Sequence, residues 1–159
     1  MPAAYTLAPT IHSYPIKTVN LGTKAQVYSR EEIGKAVKLI APDTYGLCAA
    51  GDKIEGIITS SEYALTGAKR GGLAIGGISD NGYFEAVASV QLAINDFVVA
   101  GAQPAFGTKL ADVGVGAVPA LPVQKEAPGD EAKPFRARIV GLGRLGTGAP
   151  GTICMAEFI

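Results

Sequence analysis

The sequence predicts a mainly β protein: a compact β-sandwich or barrel of short antiparallel strands, with little helix and an extended N-terminal arm. Three observations predict it. Glycine and proline supply 21 and 10 of the 159 residues, and both interrupt long helices. The intervening runs are short, aliphatic and β-branched, and turn residues bound them. Asn81-Gly82 stands between two such runs, and that pair favours a tight two-residue turn because both residues tolerate positive φ.

Residues 1–23 read as the arm, and residues 24–159 as a single β domain. Pro2, Pro9 and Pro15 keep the arm extended, since proline removes a donor and restricts the residue before it. Tyr5, Leu7, Ile11, Tyr14 and Ile16 are spread along it. A tail without a partner rarely carries so many large apolar side chains, so these five are the candidate binding residues.

Ser29 to Ile40 supports two readings. Ser29 and Glu32 form a capping-box pattern, and Ile33, Ala36, Val37 and Ile40 repeat at helical spacing. Against a helix, Gly34 sits inside the segment, and Val37 and Leu39 alternate as on a strand. After Pro42 the strand signals follow one another. Lys53 to Thr59 forms one run after the Gly51-Asp52 turn. Leu73 to Ser79 and Tyr83 to Val90 flank Asp80-Asn81-Gly82 as a predicted hairpin, with Asn81 and Gly82 as its turn. Asp96 to Ala100 is a strand stopped by Gly101 and Pro104.

The segment 102–134 is rich in proline and glycine, with one interrupted strand at Leu110 to Val118 and an exposed loop at Lys125 to Lys133. Phe135 to Leu142 and Thr152 to Ile159 are the closing strands. No fixed repeat period is visible.

Composition narrows the function. Fourteen basic residues balance fourteen acidic ones, and there is one histidine, so no global field draws nucleic acid or an anionic membrane. Hydrophobic residues are 48% and charged residues 18% of the chain, which suits a protein whose surface is partly covered by protein partners. The longest apolar runs fall far short of the ~20 residues of a membrane helix. The N-terminus has neither a basic region nor an apolar core, so the expectation is a protein made in a cytoplasm, not a secreted one. Cys48 and Cys154 sit in apolar contexts and read as buried thiols, not as a disulfide.

The motifs for catalysis fail one by one. Gly141-Leu-Gly-Arg-Leu-Gly146 matches the dinucleotide fingerprint literally, but Thr-Gly-Ala-Pro-Gly follows it where a helix is required. Gly71-Gly72 and Gly76-Gly77 lack the Gly-Lys-Ser/Thr of a phosphate loop and read as strand glycines in close contact. His12 lies in the arm with no scaffold to orient it. No cysteine or histidine spacing suggests zinc and no acidic loop suggests calcium. Glu31-Glu32 and Asp130-Glu131 sit among basic residues and read as solvated ion pairs. The expectation is a binding or structural protein, not an enzyme, with no cofactor and no metal.

One pattern points further. Gly34 to Ile40 (Gly-Lys-Ala-Val-Lys-Leu-Ile), then Tyr45 to Ile58 with its central Gly51-Asp52, resembles the head-decoration, or capsid-cement, proteins of tailed bacteriophages. Asn95 to Gly101 and the closing strand pair are similar to the second half of that family. The resemblance spans residues 30–159 as a pattern of small and aliphatic residues, and it favours a strand from Gly34 onward. It implies a structural protein on the capsid exterior, made in the host bacterial cytoplasm. Its partners would be the major capsid protein at capsomer junctions and neighbouring copies of itself, as a trimer or a dimer. It would hold the expanded head, and the N-terminal arm would order on the shell. Two other readings stay open: a β-sandwich that binds carbohydrate or a host surface, and another head-fibre or tail component.

Overall fold

The computed structural model describes residues 16–23, 26, 28–62, 74–114, 118–143 and 146–159. It is mainly β, and its strands form two closed five-stranded barrels. The first contains β1 (Lys17–Leu21), β2 (Ala36–Ala41), β3 (Thr44–Leu47), β4 (Gly56–Glu62) and β5 (Ala74–Ser79), in the order β1-β3-β2-β4-β5. The second contains β6 (Tyr83–Ala88), β7 (Phe97–Ala100), β10 (Leu121–Lys125), β11 (Ala137–Gly141) and β12 (Ile153–Phe158), in the order β10-β6-β12-β11-β7. Between β7 and β10 lies a two-stranded ribbon of β8 (Asp112–Val113) and β9 (Val118–Pro119).

A closed ring with an odd number of strands cannot alternate direction all the way round. Each barrel therefore has one parallel pair, β1–β3 in the first and β6–β10 in the second. All the other ladders are antiparallel, as the sequence predicts.

The two barrels are wired identically. In each, the first strand pairs parallel with the third and antiparallel with the fifth, the third pairs with the second, the second with the fourth, and the fourth with the fifth. The registers agree residue by residue. Ala36 faces Ile57 as Phe97 faces Arg138. The fourth strand is bulged at the same place, between Ile58 and Ser60 and between Ile139 and Gly141. Gly34 and Asn95, both at positive φ, donate to the carbonyls of Ile58 and Ile139, each over 2.8 Å. The Ile58 and Ile139 amides return bonds to Lys35 and Asp96. The fold is thus one barrel made twice.

Several sequence expectations change here. β5 and β6 are not a hairpin: β5 pairs with β1 and β4, and β6 with β10 and β12. Asp80-Asn81-Gly82 is the link between barrels, and of Asn81 and Gly82 only Gly82 has positive φ. The Asn-Gly pair signalled a reversal, but each flanking strand found better partners within its own barrel. Lys17–Leu21, expected within the arm, is instead a barrel strand whose Val19 and Leu21 are buried, and residues 1–15 lie outside the described residues. At Ser29 to Ile40, a short 3-10 turn at Arg30–Glu32 gives way to β2. The loop Lys125 to Lys133 is not wholly exposed, because Asp130 is buried and its carboxylate accepts the Ala127 amide.

β2 and β4 are buried on both faces at their first residues. Val37 and Ile58 join the core of the first barrel with Val19, Leu21, Tyr28, Ala74 and Ile78. Their neighbours Ala36 and Ile57 join the core of the second barrel, with Phe84, Val98, Leu121 and Ile139. Successive strand residues point to opposite faces, so an uninterrupted apolar pair marks a strand covered on both sides. Gly76 shows how tight the first barrel is. A Cβ there would lie 2.2 Å from the Ser60 carbonyl oxygen and 2.4 Å from Leu21 Cδ1.

Candidate binding surface

Of the five apolar arm residues, Tyr5, Leu7, Ile11 and Tyr14 lie outside the described residues, as does His12. Ile16 is 37% exposed and rests over Gly77 of β5. The next residue, Lys17, opens β1 and ion-pairs with Asp80. Hydrogen bonding to Asp80 raises the Lys17 pKa, so the ammonium is held charged. β1 itself pairs on both sides, with β3 and β5. The N-terminal segment is therefore rooted in a strand that cannot lift away without opening the barrel.

The second feature is the strap that follows β7. Gln103 accepts the Ala36 amide at 2.7 Å and donates to the Ala36 and Cys48 carbonyls, each at 3.0 Å. Its side chain completes hydrogen bonds at the margin of β2 from outside the barrel. Beside it, Lys35 and Glu32 form an ion pair of 3.1 Å with both side chains fully buried. The Lys35 ammonium also donates to the Ala105 carbonyl at 3.1 Å, and Glu32 accepts the Gly107 amide at 2.7 Å. Phe106 packs on Tyr28 with ring centroids 5.6 Å apart. The Tyr28 hydroxyl in turn accepts the Leu47 amide, and burial raises its pKa. Glu32 and Lys35 are thus structural, because each is used to fasten the second barrel's strap to the first.

A third cluster joins the barrels at the surface. Glu126 bridges Lys53 and Arg136, and the Arg136 guanidinium lies 3.4 Å from the Phe97 ring centroid. The Arg136 hydrogen bond is the main cause that lowers the Glu126 pKa. Asp52 is held low by its bonds to Lys38 and the Ala49 amide, which outweigh its burial.

The two cysteines are free and buried. Burial pushes the Cys48 thiol up to about 12 and the Cys154 thiol up to about 11, so neither is a ready nucleophile near neutral pH. Among the described residues, no group of three or more His, Cys, Asp or Glu side chains could hold a metal, and no helix is long and apolar enough to cross a membrane. Of the Gly141–Gly146 motif, Gly141 ends β11, Gly143 and Gly146 lie in the connection to the antiparallel β12, and residues 146–159 contain no helix. Gly71-Gly72 lies outside the described residues.

Large apolar side chains are exposed at several places, among them Tyr83, Val90, Ile94 and Ile159, and at two further ones. Leu39 and Ile40, 50% and 46% exposed, project at the β2–β3 corner of the first barrel. Phe135, 39% exposed and at φ 61°, precedes β11 in the second. Sequence reading missed both, since they sit in strands that looked like ordinary core. Comparison of the chain with protein-family models, curated proteins and solved structures gave no match.

Proposed function

We propose that this protein is a decoration protein that binds the outer surface of an assembled phage capsid at capsomer junctions and stabilises the expanded head. It acts as a non-enzymatic structural component of the virion exterior, partnered by the major capsid protein and by copies of itself. One observation carries the reading. The stretch Met1–Ile16 contains no Asp, Glu, Lys or Arg but five large apolar residues, and it runs directly into a strand clamped on both sides. Such a segment suits an uncharged protein surface or sheet edge, where backbone bonds give affinity and alternate side chains give register. Load on it passes into a closed barrel. Several copies on one shell raise effective concentration, so each contact can be weak.

The test is co-sedimentation of the purified protein with expanded, undecorated heads. The expected result is saturable binding at a fixed stoichiometry, little changed by salt and abolished when residues 1–15 are removed. The cut must stop there, because removing Lys17–Leu21 would open the barrel. Failure to bind properly expanded heads would overturn the reading and turn attention to carbohydrate or host-surface ligands.

A further inference from the structure

The identical wiring of the barrels allows each contact between them to be looked up on the other side. The first barrel presents an outer face of Ala36, Cys48, Ile54 and Ile57, which joins the core of the second. Its loop Gly51-Asp52 brackets Ala100 at the end of β7. The Gly51 amide donates to the Ala100 carbonyl at 2.8 Å, and the Ala100 amide donates to the Asp52 carbonyl at 2.9 Å. By register, Ala100 corresponds to Leu39, because Val123 faces Ala100 as Tyr45 faces Leu39. The residues that correspond to Ala36, Cys48, Ile54 and Ile57 are Phe97, Glu126, Phe135 and Arg138, and of these Glu126 already bridges Lys53 and Arg136.

The contact is therefore head to tail. The outer face of one barrel seals the β2-type end of the next. Used once within the chain, it leaves one of each kind with no barrel against it: the Leu39–Ile40 end of the first barrel, and the Phe97–Phe135–Arg138 face of the second, where Arg136 lies over Phe97 and Arg138 pairs with Glu157. Leu39 and Ile40 are exposed at the first of those places and Phe135 at the second. Ile54 is buried by the contact, whereas its counterpart Phe135 is exposed. Ala100 is fully buried, whereas its counterpart Leu39 is half exposed.

We propose that a second copy of this chain continues the series, its Phe97–Phe135–Arg138 face docking on the Leu39–Ile40 end of the first. The occupant is argued from continuity with the contact between barrels. The chemistry is suitable, since aromatic and arginine side chains against aliphatic ones are typical of interface centres. One local difference is expected. Glu55 already accepts the Leu39 amide, where Ala100 uses the Asp52 carbonyl, so the contact between copies is led by side chains. Heterologous contacts of this type close into rings or extend as filaments. The inference stands whether or not the protein binds a capsid.

The experiment is sedimentation velocity of the full chain over a concentration series, with Leu39→Asp and Phe135→Asp as variants, both at exposed positions and each checked for an unchanged melting curve. The native chain should associate, and each variant should weaken association by at least about thirtyfold. Mixing the two variants decides the geometry. Each keeps one intact half of the contact, so the mixture should form a capped 1:1 heterodimer and nothing larger. A native chain that stays monomeric, variants that associate normally, or a mixture that stays monomeric would each overturn the proposal.

Discussion

The two barrels share one set of connections and fill it differently. At corresponding positions the first barrel has Val19, Leu21 and Ile78, where the second has Ala86, Ala88 and Ala156. The second recovers the volume from Phe84, which packs on Phe158 at 5.0 Å between ring centroids, and from Ala36, Ile54 and Ile57 of its neighbour. Two interior residues are the same in both, Val37 with Val98 and Ile58 with Ile139. Wiring is thus kept while packing drifts, provided that total volume is conserved. The second barrel depends on the first for part of its core, and the first depends on the second for the strap that buries Lys35.

The largest test of this dependence is the strap. Glu32→Leu or Lys35→Met alone should cost about 3–5 kcal/mol in a denaturant titration, because each leaves a buried charge without its partner. The double variant should regain most of that loss. If the single changes cost little, the strap does not hold the barrels together as described. Next come the two shared isoleucines. Ile58→Ala and Ile139→Ala should each cost about 2–5 kcal/mol, and amide exchange should rise first in the barrel that carries the change. Equal loss of protection in both barrels would show that they unfold as one unit.

Smaller effects bear on the link and on a pair of corresponding positions. Gly82→Ala should cost about 1–2 kcal/mol for its positive φ, measured as a shift in melting temperature, and Asn81→Ala should cost less. Equal sensitivity at both would restore a two-residue hairpin turn. The smallest effect is acid dependence. Glu126 and Cys48 occupy corresponding positions, since their amides bond to the Phe97 and Ala36 carbonyls. The folded Glu126 pKa lies below its ordinary value of 4.5, so its contribution is present above that pH and is lost as pH falls through the lowered value. Cys48 is pushed up to about 12 and does not titrate in that range. Glu126→Gln should therefore flatten the acid limb of the stability curve, whereas Cys48→Ser should leave its shape unchanged.

Much of the fold was legible. Short aliphatic runs located most strands. The repeat was not legible, for a physical reason. Loops may change length freely while barrel registers may not. Corresponding residues such as Val37 with Val98 and Ile58 with Ile139 are therefore separated by different numbers of residues, and no single period survives. Asn81-Gly82 misled because a local turn preference is worth little against two complete ladders. The candidate surface was only half visible. Four of the five arm residues lie outside the described residues, and Leu39, Ile40 and Phe135 are told from core residues only once barrel closure is known.

Each barrel is one uninterrupted stretch of chain, and this orders events during synthesis. β1 to β5 leave the ribosome before any strand of the second barrel, and domains commonly fold as they emerge. The first barrel can close while Lys35 still lacks the carbonyls of Pro104 and Ala105. At about 5–20 residues per second, that wait lasts on the order of seconds, with a lysine side chain free to reach water. The burial of its charge thus follows closure of the first barrel, and it fastens the emerging chain to that barrel before β10 to β12 have been made.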